Sequence, residues 1–298
     1  MRMKSAFDVW GNIALVKFNN EGSRTPTGAD KKKFAEFLLK NNKSIKTILE
    51  KIGKFKGRLR KQTTKWIAGE KTKEVLYREN GCVFRFNIDD TYFSPRLSSE
   101  RLEIARKIKK GDEVLVMFAG VGPYPIVIAK SSKAAAVYSN EINRKANKYA
   151  EKNIELNKLK GRVVLLQGDV KRVAKSLAEG SRPTPNFARV INSKSFPLPR
   201  SRSPTLKENT SIPKKFNVIV MPRPRLKDSF LKEAFSLSKK GTRIFYYDFC
   251  KDEEVPVILD KIRAEAKSAR KKVKILSWKH AGEIAPYKFR IRIDLKIV

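Results

Sequence analysis

Histidine, cysteine and acidic side chains are all scarce in this sequence. His280 is its one histidine, and Cys82 and Cys250 are its two cysteines, in 298 residues. Neither a metal-ligand cluster nor a Ser-His or Cys-His pair at short spacing can be drawn from so few. The two separate thiols predict a reduced, metal-free, cytoplasmic protein. No run of about 20 apolar residues and no signal-peptide pattern is present, which sets membrane attachment aside. Acids number 30 against 67 lysines and arginines, a formal charge of +37. A field of that sign draws polyanions, and nucleic acid is the first partner it indicates. A lysine-rich composition with no partner behind it is the plainer alternative.

What is present centres on Asp112-Glu-Val-Leu-Val-Met-Phe-Ala-Gly-Val-Gly-Pro-Tyr124. An apolar strand over 113–117 runs into a turn at Gly120 and Gly122, then a helix, a second strand and Glu141. This is the outline of a βαβ unit in which glycines let a ligand approach the backbone and an acid receives two ribose hydroxyls. Glu141 lies 21 residues after Gly120, near the roughly 20-residue spacing of the dinucleotide fingerprint. The third glycine is missing, with Pro123 and Tyr124 where a pyrophosphate loop needs a small residue. A dinucleotide therefore fits poorly, and S-adenosylmethionine, an adenosine ligand without phosphates, fits better.

The length allows one large or two ordinary domains. Residues 6–18 predict two short strands about Gly11-Asn12, and 31–52 a basic helix broken near 41–43. Strand-like pieces follow at 55–60, 66–68, 75–77 and 83–88, completing a small α+β domain over 1–95. Over 96–298 the pattern alternates: helix 98–108 with Ser98 or Ser99 as N-cap, strand 112–117, helix 123–130, strand 135–139, helix 143–157, strand 163–169 and helix 170–178. From about 180 to 212, prolines among serines and basic residues predict a disordered basic insertion. Strand 216–221, helix 227–239, strand 242–248, helix 254–270 and strands 272–277 and 289–298 follow. The last two form a hairpin closing a mixed seven-stranded sheet, so the fold class is α/β, a class I Rossmann-like methyltransferase domain.

Ligands of such sheets bind at the carboxyl ends of the parallel strands. There the sequence offers Phe118, Glu141, Asp169, Met221-Pro-Arg-Pro-Arg225 and Tyr247. Asp169 is placed either to cap the next helix or to hydrogen-bond an adenine amino group. Many amino-group methyltransferases end their fourth strand with Asn-Pro-Pro-Tyr or Asp-Pro-Pro-Tyr. Here the prolines remain without the amide, and Arg223 and Arg225 are offered to phosphate or a base edge, the alternative being a rigid basic turn.

Tyr92-Phe-Ser-Pro-Arg-Leu-Ser-Ser-Glu-Arg101, Met117-Phe-Ala-Gly-Val-Gly-Pro123, Glu141-Ile-Asn143 and Tyr246-Tyr247 together resemble the archaeal-type tRNA methyltransferases of guanosine 37 and their wyosine-pathway relatives. The likeness covers nearly the whole chain outside the insertion. It implies a small domain for the tRNA anticodon stem-loop and a Rossmann-like domain for S-adenosylmethionine, in a monomer. By position, Tyr92, Arg101, Phe118, Gly120, Gly122, Glu141, Ile142, Asp169 and Val170 would line the cofactor site. Glu100 would take the proton from guanine N1, Arg60 in Gly57-Arg-Leu-Arg60 would steady the guanine oxygen, and Arg96, Arg223 and Arg225 would hold substrate. Taken alone, Glu100 reads as a first-turn acid matched to the helix dipole, and Arg60 as an exposed strand residue.

Three departures bear on the reaction. Pro222 occupies the catalytic position where the family's guanosine enzymes carry asparagine, leaving room for methylation of the wyosine precursor 4-demethylwyosine at C7. Val116 replaces an acid that often precedes the glycine turn. The resemblance begins at the family's middle domain, without the elbow-touching domain of many members, which predicts weaker dependence on the intact L-shape. Transfer of the cofactor's aminocarboxypropyl group, and RNA binding without catalysis, are the alternative readings.

Overall fold

The computed structural model describes residues 6–18, 25–179, 188–190, 212–223 and 226–298. They fall into two compact units, Met1–Pro95 and Arg96–Val298. In the first, β1 (Ala6–Trp10) and β2 (Ile13–Lys17) form a hairpin, and α1 (Gly28–Asn41) crosses over to β3 (Thr47–Lys56), which lies parallel to β2. β4 (Lys61–Gly69) completes the sheet in the order β1-β2-β3-β4, and β5 (Glu74–Glu79) with β6 (Cys82–Asn87) makes a separate hairpin. Ala35 and Leu38 of α1 close the core against Ala14, Val16, Ile48 and Ala68.

α1 begins where Thr27 and Asp30 cap each other, each backbone N–H donating to the other's side chain. It ends where Asn41 and Asn42 turn their side-chain amides back onto the carbonyls of Phe37 and Leu38. The expected helix over 31–52 is therefore too long: Ile48 and Leu49 belong to β3, and Ile45 to the loop before it. The error has a plain cause. β3 is a central strand whose residues 47–50, Thr-Ile-Leu-Glu, are all buried, so burial there shows neither the helical nor the alternating period.

The β1–β2 turn is fixed by the second hairpin. Asn12 Oδ1 accepts from the Leu76 N–H (2.6 Å), and its amide donates to the Glu74 carbonyl (3.2 Å). A Cβ on Gly11, which sits at φ 58°, would stand 1.8 Å from the Leu76 carbonyl oxygen.

The second unit opens on α2 (Ser98–Lys107), entered from a 3-10 turn over Pro95–Leu97. Leu97 is its N-cap residue and makes no side-chain cap, so neither Ser98 nor Ser99 serves as expected. There follow β7 (Glu113–Met117), α3 (Pro123–Ser131), β8 (Ala136–Glu141), α4 (Arg144–Leu156), β9 (Val163–Gln167) and α5 (Val170–Glu179). Next come β10 (Ala188–Val190), β11 (Phe216–Met221), α6 (Leu231–Ser236), β12 (Ser238–Cys250), α7 (Val255–Ser268), β13 (Val273–Ala285) and β14 (Lys288–Ile297).

The strands lie in the order β10-β9-β8-β7-β11-β12-β14-β13. The five from β9 to β12 are parallel, and the β13–β14 hairpin closes the sheet antiparallel. The expected mixed seven-stranded sheet is present. An eighth strand, β10, pairs antiparallel with β9 and falls inside the stretch expected to be a disordered insertion. The rest of that stretch up to 211 lies outside the described residues, and Ile212 packs on the core.

Helix 227–239 contracts to α6, because Phe230 takes a left-handed φ of 58° and residues 226–229 form a loop. β12 correspondingly starts earlier than expected, with a register shift against β11. Among the described residues no helix is long and apolar enough to cross a membrane.

Replacing Gly11 by alanine is expected to lower the thermal midpoint clearly, since the added methyl meets backbone and the turn cannot relax without releasing the second hairpin. Such strain amounts to about 1–3 kcal/mol. Chemical denaturation of Gly11→Ala beside the wild type measures it, with Gly28→Ala, where an added Cβ meets nothing within 4 Å, as the control.

Candidate active site

Strand order reverses between β7 and β11, and this topological switch opens a crevice at the carboxyl ends of the parallel strands. Registers place the expected residues along one rim. Met117 pairs with Asn140 and Glu141 with Gln167, so Phe118, Glu141 and Gly168-Asp169 follow one another at one level. On the other side Val220 pairs with Val116 and Met221 with Tyr246, which sets Pro222 between Phe118 and Tyr247. Tyr247 in turn pairs with Arg292 of β14, and Arg292 with Lys279 of β13.

At the first end of this line the turn and the acid hold each other. The Gly120 N–H donates to Glu141 Oε2 (2.9 Å) and the Asn143 N–H to Oε1 (2.7 Å). This half-buried carboxylate stands at the end of β8, the position at which sheets of this kind receive ribose hydroxyls. Phe118 bends the chain into the turn at φ 59°, its half-buried ring edge-on to Phe230 at 5.0 Å. Gly122 has a packing role: a Cβ there would press on Ile126 Cδ1 at 3.1 Å and meet Ala150 at 3.6 Å. It is the packing of α3 on α4, with a φ of 89°, that requires glycine here.

Asp169 accepts from the Lys171 N–H (2.8 Å) and so caps α5, leaving the adenine role as a reading. Ile142 is half-buried on the rim, whereas the side chain of Val170 is packed in the core.

Buried asparagines brace this end, and the sequence reading missed them. Asn140 donates to the carbonyls of Leu166 (2.8 Å) and Gly168 (3.1 Å), Asn147 to that of Glu141 (2.9 Å), and Asn153 to that of Val121 (3.0 Å). The available signal was polar residues on the apolar stripe of α4, where Asn147 and Asn153 stand among Ala146, Ala150 and Ile154.

Beyond Pro222, Arg223 turns inward. It is 2% exposed, and its guanidinium donates to Asp248 Oδ1 (2.7 Å) and to the carbonyls of Leu226 (2.6 Å) and Asp228 (2.7 Å). Arg223 was expected to hold substrate; instead it ties the β11–α6 loop to β12, where Asp248 also accepts from the Tyr246 hydroxyl. Arg225 lies outside the described residues, and Arg96 is exposed.

At the far end sits a buried ionic network. Glu100 Oε1 accepts from the Tyr247 hydroxyl (2.8 Å) and from Arg292 Nη1 (2.5 Å), and Oε2 lies 3.4 Å from Lys279 Nζ. Arg292, 2% exposed, also donates to Glu103 (2.7 Å) and Asp294 (2.6 Å). Burial opposes the charge of Arg292, but hydrogen bonds to Glu103 and Asp294 and the charge of Glu100 outweigh it and hold its pKa above the ordinary guanidinium value. Burial, with Tyr124 and Glu100 alongside, drives the Tyr247 phenol well above its usual 10, so it remains a donor. Glu100 thus faces the sheet, not the amides of its own helix end. Arg101 is buried beside Tyr124, its guanidinium carbon 5.8 Å from the ring centre.

Two further expected residues, Arg60 and Tyr92, lie in the first unit. Arg60 follows a turn closed by its N–H on the Gly57 carbonyl (3.1 Å), and its guanidinium lies over the Tyr92 ring at 4.0 Å.

With this geometry in place, comparison with known proteins is direct. The chain is 32% identical over 308 positions to tRNA (guanine(37)-N(1))/4-demethylwyosine(37)-methyltransferase Taw22 of Nanoarchaeum equitans, spanning 98% of this chain and 100% of that one. Residues 75–182 match the TRM5/TYW2 methyltransferase domain and residues 1–72 the TYW2 N-terminal domain. The chain belongs to the TRM5/TYW2 methyltransferase family. Within this family it is 29% identical to the tRNA (guanine(37)-N(1))-methyltransferase Trm5b of Pyrococcus abyssi, over 99% of this chain and 76% of that one. The crystal structure of P. abyssi Trm5b superposes with a TM-score of 0.74, covering 98% of this chain and 74% of its own. P. horikoshii TYW2 in complex with MeSAdo shares the fold at a TM-score of 0.71 and 21% identity, covering 98% and 90% of the two chains. The stretches 92–101 and 117–123 both fall within the matched methyltransferase domain; residues 98–101 open α2, and 117–123 run from the end of β7 through the glycine turn.

The α2 network makes a pH prediction. Burial would raise the Glu103 carboxyl, but hydrogen bonds from Arg292 and Lys279 prevail and lower it from 4.5 to about 2. A carboxyl lowered on folding stabilises the protein above its unfolded pKa, and that contribution fades as pH falls from about 4.5 towards 2. Acid titration followed by circular dichroism is expected to show this loss, and Glu103→Gln to make stability flatter across the same window.

Proposed function

We propose that this chain methylates the purine at position 37 of tRNA, at N1 of guanosine or C7 of 4-demethylwyosine, with S-adenosylmethionine as donor. The single observation that carries the reading is the rim itself, on which Glu141, bonded to the glycine turn, stands three strands along the sheet from Tyr247 and four from Arg292. The family membership and the charge of +37 agree with it. The protein acts in the cytoplasm, as a monomer and without a metal.

In this reading Glu141 holds the ribose hydroxyls, and Phe118, Ile142, Asp169 and the Val170 backbone border the adenosine. Bound there, the cofactor supplies an electrophilic methyl group on a sulfonium. Glu100 takes the N1 proton of guanine as the nitrogen turns its lone pair on that methyl. The oxygen with acceptor capacity to spare is Oε2, because Oε1 already accepts from Tyr247 and Arg292. Pro222 stiffens the end of β11 beside the reacting base. Arg60 offsets the charge developing on the guanine oxygen, and Arg96 and Arg225 meet phosphate. The roles of Arg60, Tyr92, Arg96, Arg101 and Arg225 rest on the family resemblance alone.

Transfer of the aminocarboxypropyl group of the same cofactor is the second reading, favoured by Pro222 in place of the asparagine of the guanosine enzymes. Cofactor labelled separately in the methyl and in the aminobutyrate portion, incubated with tRNA transcripts with and without a purine at position 37, tests both. Methyl label that depends on that purine is expected. Aminobutyrate label in the RNA selects the second reading, and label indifferent to the base discards both.

Glu141→Ala is expected to weaken cofactor binding by roughly 10- to 100-fold, the worth of about 1.5–3 kcal/mol for hydrogen bonds to a charged group. Calorimetry measures it, and no detectable wild-type binding would instead support a non-catalytic RNA-binding protein. Arg60→Ala is expected to lower turnover about 10²-fold with cofactor affinity nearly intact.

A further inference from the structure

We propose that Tyr247 and Arg292 are positioning residues, which set the Glu100 carboxylate so that Oε2 alone takes the substrate proton. The inference rests on the reading of Glu100 as base and extends it to Tyr247, which the sequence placed at a strand end without a role, and to Arg292, which no motif marked.

Three observations carry it. First, Tyr247 and Arg292 are cross-strand partners in adjacent β12 and β14, and their donors converge on a single atom, Oε1, at 2.8 and 2.5 Å. A carboxylate held through one oxygen by a phenol and a guanidinium loses the freedom to swing, and its second oxygen, with Lys279 Nζ 3.4 Å away, is aimed. Second, the level is right: Tyr247 stands next to Pro222 in register, at the strand ends where the crevice opens. Third, the arrangement exceeds what stability requires. Arg292 and Glu100 are 2% and 6% exposed at their side chains, and a buried ion pair of this kind does about as well as an apolar pair of the same volume. Glu103 and Asp294 take the other donors of Arg292, so the guanidinium is itself fixed from two sides. Tyr124, edge-on to Tyr247 at 6.1 Å, limits the phenol.

The variant Tyr247→Phe removes one hydroxyl and keeps the ring. We expect kcat to fall about tenfold or more, in line with the cost of a misplaced catalytic group. The KM for tRNA, the calorimetric Kd for S-adenosylmethionine and the thermal midpoint should stay within about twofold or a few degrees of wild type. Arg292→Lys, which keeps a charge, should recover part of the kcat lost in Arg292→Met. In a Glu100→Gln background, whose own turnover is expected to be about 10²-fold down, adding Tyr247→Phe should cost nothing further.

Wild-type kcat in Tyr247→Phe while Glu100→Gln is inactive would overturn the positioning role and leave the base reading standing. Wild-type turnover in Glu100→Gln would overturn the base reading, and the proposal with it. A loss in Tyr247→Phe that adds fully to that of Glu100→Gln would show that the phenol acts other than through Glu100.

Discussion

The bond from the Gly120 amide to the Glu141 carboxylate is the constraint from which the rest of the second unit can be read. It joins the turn after β7 to the end of β8 at 2.9 Å, and so converts two loops that would otherwise be independent into one rigid edge. The glycine is needed for its left-handed backbone and the acid for its two acceptors. Once they are joined, the carboxylate is held in one pose. The asparagines of β8 and α4 serve the same end by occupying the carbonyls of Val121, Glu141 and Gly168. Backbone groups at strand ends have no ladder partner, and a buried one left unpaired is costly.

The sheet separates two chemistries along its rim. Around Glu141 the Gly120 and Asn143 backbone amides hold the carboxylate. Around Glu100 they are two cations and a phenol that stays protonated, suited to keeping a carboxylate in one pose. β11 lies between them and ends in Pro222, while Arg223 pins the following loop to Asp248. Of the cations in this region, Arg223 and Arg292 are buried and already paired, while Lys279 is partly exposed.

Much of this was legible in the sequence, and the exceptions have physical causes. β7, β8, β9 and β11 are apolar runs bounded by turn residues, and a parallel sheet covered on both faces demands such runs. Gly120 and Glu141 were legible because their spacing reflects one βαβ crossover. β3 was taken for helix because burial on both faces erases the alternation that marks a strand. Arg223 was taken for a substrate contact because burial of a guanidinium depends on Asp248 and two carbonyls that are remote or unremarkable in sequence. Arg292 escaped notice for a related reason. Phe289-Arg-Ile-Arg-Ile-Asp-Leu295 alternates like a strand with one wet face, yet Arg290, Arg292 and Asp294 are all buried, so the polar face of β14 is covered as well.

The family places the chain among methyltransferases, and the structure sets Glu141, bound to the glycine turn, and Glu100, bound by Tyr247 and Arg292, along one rim of the sheet. What unites them is a methyl group delivered to a base beside the anticodon. The most direct test is mass spectrometry of nucleosides and of ribonuclease fragments from tRNA treated with the protein and S-adenosylmethionine. The account predicts one added methyl on the purine at position 37. A methyl group on any other nucleotide, or unmodified RNA recovered from a protein that binds both tRNA and cofactor, would contradict it.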